Sequence, residues 1–157
     1  MDYTSEMAEL LSRHGFRRFK MSRTGVGHLL LAGHLDDRPI DIVLDTGAGK
    51  TFVELSYCRA EGIAVIDTGQ SGAPAAGAGS GTVSNVHTLG DVRLTLEGLP
   101  VRSDGIFAID MTHTNQKLMT RGFDPIRAVI GQDVLRYHQA VIDYATLGLF
   151  LKEEPAP

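Results

Sequence analysis

The stretch Ile42-Val43-Leu44-Asp45-Thr46-Gly47-Ala48-Gly49-Lys50-Thr51-Phe52-Val53 constrains the fold more than any other part of the chain. An apolar run delivers one carboxylate, Asp45, into a glycine-flanked turn, and a second apolar run follows at once. Two chemistries use such a stretch. In one, Asp45 is half of a pair of carboxylates that activate a water. In the other, Gly49-Lys50-Thr51 closes a phosphate-binding loop.

The phosphate loop reads G-x-x-x-x-G-K-[ST], with backbone N–H groups cradling phosphate and the lysine reaching its outer oxygens. The chain matches every position but the first, where Leu44 stands in place of the glycine that starts the tight turn. The context also departs, because that loop joins a strand to a long helix in an alternating parallel sheet. Here strand patterns follow strand patterns. If this chemistry were present, Mg-nucleotide would bind and Lys50→Ala would abolish binding.

The carboxylate chemistry needs two aspartates that share one proton and hold a water between them. Two like charges a few Å apart do not both ionise easily, so one pKa rises and the pair works as acid and base. An Asp-Thr-Gly turn suits this, because glycine lets two such turns approach. The tripeptide occurs twice, and Asp67-Thr68-Gly69 lacks the second apolar run. Asp67 is therefore read as a loop residue and Asp45 as the candidate.

The surrounding pattern is mostly β. Residues 28–34 and 39–44 are apolar strand candidates joined across the turn signal Asp36-Asp37-Arg38-Pro39, which makes a hairpin whose second arm ends at Asp45. Residues 52–62 suit a short helix or turn, and 63–66 a brief strand. The segments 82–86 and 92–96 alternate with period two, and another strand falls within 101–109. Residues 110–124 are polar and irregular, with a helical piece near 116–119. Residues 127–130 form a strand ending at Gly131, 132–138 have helical composition, and 140–144 with 147–151 form a hairpin.

Toward the N-terminus, residues 4–14 read as an amphipathic helix capped by Thr4 or Ser5, and Arg17-Arg18-Phe19-Lys20 as a solvated linker. This divides the chain into a helical extension and linker (1–24), one domain (25–152) and a disordered tail (153–157). The 18 glycines exceed the average of about 7%, and many fall between 69 and 81. That excess marks one small-residue loop of the kind that covers a site.

Composition excludes several functions. A net charge of -4 argues against nucleic acid as the main partner. No run reaches the roughly 18 apolar residues of a membrane span, and the N-terminus has no signal-peptide pattern, so a cytoplasmic location is expected. The single cysteine, Cys58, precludes an intrachain disulfide and reads as a small buried residue. His14, His28, His34, His87, His113 and His138 show no metal-ligand spacing, so no metal and no cofactor are expected. Gly69-Gln70-Ser71-Gly72-Ala73 lacks the final glycine of a serine elbow.

Asp45-Thr46-Gly47-Ala48, a small-residue segment about 30 residues on, and Ala128-Val129-Ile130-Gly131 before a short helix together resemble the retropepsin-like aspartic proteases, chiefly their bacterial single-domain members. The resemblance covers roughly residues 26–151. It implies an all-β, acid-protease closed barrel with one or two short helices and a flap loop over the site. It further implies an aspartic endopeptidase with Asp45 as the catalytic carboxylate, supported by Thr46, Gly47 and Ala48. Gly77, Ala78, Gly79 and Ser80 would lie in the flap, and Val129, Ile130 and Gly131 would pack behind the turn.

One convincing aspartate turn per chain implies a homodimer, with a peptide substrate bound in extended form. Viral relatives often place two acidic residues after the turn and pair one with an Arg after the later glycine. This chain has Gly49-Lys50 and Gln132 there, so that ion pair is not expected. The alternative is a catalytically silent member that uses the fold for dimerisation or peptide binding.

Overall fold

The two apolar arms around Asp45 become strands of one large sheet. The computed structural model describes residues 3–66 and 86–153. Strand β3 (Leu29–Leu35) buries alternate residues, as period-two patterning requires. Asp36, at φ 52°, and Asp37 turn it into β4 (Arg38–Leu44), whose register from Leu35↔Arg38 to Leu29↔Leu44 brings the chain to Asp45 at the hairpin's open end.

The chain continues through β5 (Phe52–Glu54), α2 (Leu55–Ala60), β6 (Val65–Ile66), β7 (Val86–Leu89), β8 (Leu94–Leu96), β9 (Leu99–Pro100) and β10 (Phe107–Ile109). Helix α3 (Thr112–Thr120), β11 (Ala128–Ile130), α4 (Gln132–Tyr137), β12 (Val141–Asp143) and β13 (Gly148–Lys152) complete it. Before β3 lie α1 (Tyr3–Arg13), β1 (Phe16–Lys20) and β2 (Ser22–Arg23). The large sheet runs β6-β7-β10-β5-β11-β4-β3-β8-β9, with β2 added beside β3, and a smaller sheet runs β1-β13-β12.

The all-β expectation holds. The large sheet is a curled half-barrel with β6 and β9 at its two ends, where a closed barrel was expected. Among the described residues α1 is the helix expected in the extension, and three short helices, α2, α3 and α4, stand where one or two were expected in the domain. Residues 52–54, placed with a helix or turn, form β5. Residues 17–20, expected as a solvated linker, are most of β1, paired from Phe16↔Lys152 to Lys20↔Gly148. Their charges sit at the surface while Phe19 and Met21, each 1% exposed, enter the core. Of the tail, Glu153 is described and donates its N–H to Gly15 O; residues 154–157 lie outside the described residues.

The main core lies where the inner faces of the two sheets meet. Leu31, Leu35, Ile42, Leu94, Leu96 and Ile130 come from the large sheet, and Phe19, Leu149 and Leu151 from the small one. Each such side chain contributes roughly 1.5–3 kcal/mol on burial. His138, buried at the end of α4, joins them by hydrogen bonding: Nδ1–H donates to Lys152 O at 2.8 Å and Nε2 accepts the Arg102 N–H at 2.9 Å. It is a satisfied core histidine.

Cys58 is fully buried, and that burial, with the Glu54 carboxylate nearby, pushes its thiol up to about 11. Thiolate is what alkylating reagents attack. Iodoacetamide at about pH 8 is therefore expected to leave the folded chain unmodified and to label Cys58 only in denaturant. Rapid labelling of the folded chain would contradict the burial.

At the β12–β13 turn, Asp143 accepts from the Thr146 hydroxyl and from the Ala145 N–H. The Thr146 bond is the main reason its carboxyl is held below the ordinary 3.8. Because folding lowers this pKa, the stabilisation is complete above the ordinary value and disappears as pH falls through the lowered one. Urea midpoints between about pH 5 and pH 2 should therefore fall with acidification, less steeply in Asp143→Asn. Equal slopes would exclude Asp143 as a source.

Candidate active site

Strand β11 lies between the two arms of the Asp45 turn. It runs parallel to β4, with Val129↔Val43 and Ile130↔Leu44, and antiparallel to β5, with Ala128↔Val53 and Val129↔Phe52. The turn is thus stretched across the end of β11. Asp45 N–H donates to Ile130 O at 3.1 Å, and Gln132 N–H donates to Ala48 O at 2.8 Å. Within the turn, Ala48 N–H reaches Asp45 O at 3.2 Å and Gly47 N–H donates to Asp45 Oδ1 at 2.8 Å. The last bond orients the carboxylate, and Asp45 itself is exposed.

At Gly131 the two backbones come too close to admit a side chain. A Cβ there would lie 2.6 Å from Lys50 O and 2.7 Å from Ala48 O. Gln132 adds a bond that local patterning could not reveal, its Nε2 donating to Thr46 O at 2.8 Å. Where the viral pattern has an ion pair, this chain holds the turn with a neutral amide. Thr46 and Gly47 are exposed and Ala48 is buried.

The far end of the turn is fastened by Thr51, which is fully buried. Its Oγ1 accepts the Gly131 N–H at 3.1 Å and donates to Asp133 Oδ1 at 2.7 Å. Lys50 Nζ pairs with Asp104 Oδ2 at 2.5 Å. This geometry does not suit a phosphate loop. The hydroxyl that would face a metal ion is enclosed, a three-residue strand follows the turn, and the next helix, α2, has six residues.

Leu30, Val43, Val129 and Phe52 are successive cross-strand partners on β3, β4, β11 and β5. With Ala48 and Ile126 they form an apolar cluster separate from the main core. Ala48 belongs to the Asp45 turn, so the cluster borders that turn. Ile126 is held there by Asn115, which donates Nδ2–H to Ile126 O at 2.9 Å and accepts the Ile126 N–H at 2.8 Å. Nothing in the polar segment around Asn115 announced that role.

Gly77, Ala78, Gly79 and Ser80, expected in a flap, lie outside the described residues, as does Asp67-Thr68-Gly69. Among the described residues no group of three or more His, Cys, Asp or Glu side chains could hold a metal ion. No described helix is long and apolar enough to cross a membrane.

Among solved structures, the chain is similar to a retropepsin-like aspartic protease from Rickettsia conorii, with 16% identity over 87% of this chain and 90% of that one and a TM-score of 0.51. The retroviral protease-like domain of Ddi1 from Leishmania major also matches, with 16% identity over 82% of this chain and 98% of that one and a TM-score of 0.47. No protein-family model matches the chain, and no curated protein does. The chain has a retropepsin-like fold.

Proposed function

We propose that this chain is an aspartic endopeptidase whose active site is completed by a second copy of itself. One observation carries the proposal: Asp45 is an exposed carboxylate on a turn whose backbone is tied to residues 130–132 and bordered by an apolar row. A carboxylate held in that way is preorganised for a reaction, and the retropepsin-like fold supports peptide hydrolysis as that reaction. The chain supplies one such turn among its described residues. Two-fold pairing supplies the other.

In the proposed reaction the two Asp45 side chains share one proton, because two adjacent carboxylates do not both ionise. The ionised one takes a proton from a water bound between them while that water attacks the peptide carbonyl. The protonated one gives its proton to the carbonyl oxygen. Collapse of the tetrahedral species, with a proton passed to the amide nitrogen, cleaves the bond without a covalent intermediate.

Thr46 is proposed to tie the two turns together, and Gly47 with Ala48 to floor the groove. An extended peptide would place apolar side chains against Val43, Val129 and Phe52. With Cys58 as the only cysteine, the chain takes no stability from disulfides, in keeping with a reducing compartment, and we place it in the cytoplasm. The test is cleavage of a diverse peptide library by wild type and by Asp45→Asn. Equal cleavage by both, or none by either in a demonstrated dimer, would refute the proposal.

A further inference from the structure

The Thr51 hydroxyl has one proton, and the bonds around it leave no choice about where that proton points. Gly131 N–H can only donate, so Thr51 Oγ1 accepts there and donates to Asp133 Oδ1. The same Oδ1 accepts the Val134 N–H at 2.9 Å. One carboxylate oxygen therefore joins the Asp45 turn, the end of β11 and the first turn of α4.

The other oxygen, Asp133 Oδ2, is buried and has no partner among the described residues. Burying an unpaired carboxylate oxygen is unfavourable, a cost set against the bonds made through Oδ1. Those bonds fasten the far end of the turn to the residue after β11 and to the start of α4. Asp45 and Ala48 are fixed to β11 and its sequel by backbone bonds, whereas the far end of the turn is fixed to Gly131 and Asp133 through Thr51. Without Asp133 the Thr51 hydroxyl can rotate to other acceptors and the side-chain tie at that end of the turn is loosened, while the Phe107 N–H to Thr51 O bond and the β5–β11 pairing remain. The β4–β11 pairing and the packing of Ile42 and Ile130 do not involve Asp133 and would persist.

We propose that Asp133 is a positioning residue for the Asp45 carboxylate, acting through the Thr51 hydroxyl. This rests on reading Asp45 as catalytic. Displacing a reacting group by about 1 Å can cost on the order of 10²-fold in rate. Asp133 therefore governs turnover more than substrate binding.

The test compares Asp133→Ala, Asp133→Asn and Thr51→Val in the full chain, by peptide cleavage and by amide hydrogen exchange. Asp133→Ala and Thr51→Val are each expected to lower kcat by about 10²-fold with KM within about twofold. Asp133→Asn keeps an acceptor for Thr51 and should recover most of that loss. Exchange at Asp45, Gly131 and Gln132 should accelerate while β1 and β13 stay protected. Wild-type kcat and wild-type exchange in Asp133→Ala would overturn the proposal. So would exchange accelerated equally in β1 and β13, which marks a general role in stability. If Asp45→Asn cleaves as well as wild type, the catalytic reading fails, and local exchange at the turn alone decides whether Asp133 holds it.

Discussion

Asp45→Asn is expected to lower kcat/KM for peptide cleavage by about 10³-fold or more. Each general acid or base contributes about 10²–10⁴-fold, and in a two-fold dimer the substitution removes both members of the pair. The asparagine can still accept the Gly47 N–H through its amide oxygen, so the turn should keep its shape. Thermal stability and dimerisation should therefore stay near wild type, which separates lost chemistry from lost structure. Mixing gives a sharper result. If the two subunits share one site, equal amounts of wild type and variant, allowed to exchange, retain about one quarter of the wild-type specific activity, because only wild-type pairs are active. Independent sites would leave about one half and would remove the shared site from the proposal.

Gly131→Ala should have the next largest effect, for a purely steric reason. Gly131 has φ -106° and ψ -170°, an extended conformation open to any residue, so backbone strain plays no part. The obstacle is the added Cβ, which would meet Lys50 O at 2.6 Å and Ala48 O at 2.7 Å. Both belong to the turn that carries Asp45. Relief requires the turn to lift away from β11, stretching the Gln132 N–H to Ala48 O and Gly131 N–H to Thr51 Oγ1 bonds. Overpacking of this kind costs roughly 3 kcal/mol. The displacement should also lower kcat by about 10²-fold in whatever fraction stays folded. Denaturation midpoints with kcat per folded molecule check both parts. Wild-type stability would show that the two backbones are not in contact at Gly131.

Much of the fold was legible from local pattern. The apolar residues of 28–34, the turn signal Asp36-Asp37-Arg38-Pro39 and the apolar run into Asp45 all act between near neighbours. The hairpin forms there, with its turn at Asp36-Asp37 and Arg38 and Pro39 already in β4. The basic stretch around Phe19 misled because its charges mask the strand alternation, and only the pairing with β13 makes it a strand. Phe52–Glu54 is too short to carry a period of its own. Asp133 and Gln132 were missed as parts of the site because their bonding partners, Thr51 and Thr46, lie 82 and 86 residues away.

By itself the sequence determined that this is a β-rich chain with one carboxylate held between apolar runs. It also favoured Asp45 over Asp67, because only Asp45 is followed by a second apolar run. The tertiary structure decided which strand passes between the two arms of the Asp45 turn, how closely Gly131 approaches it, and which distant side chains fasten it. The reason lies in range. Alternation and turn chemistry depend on neighbours a few residues apart, whereas the position of the turn depends on burying β11 between β4 and β5. That burial sets Gly131, Gln132 and Asp133 against residues they never meet along the chain.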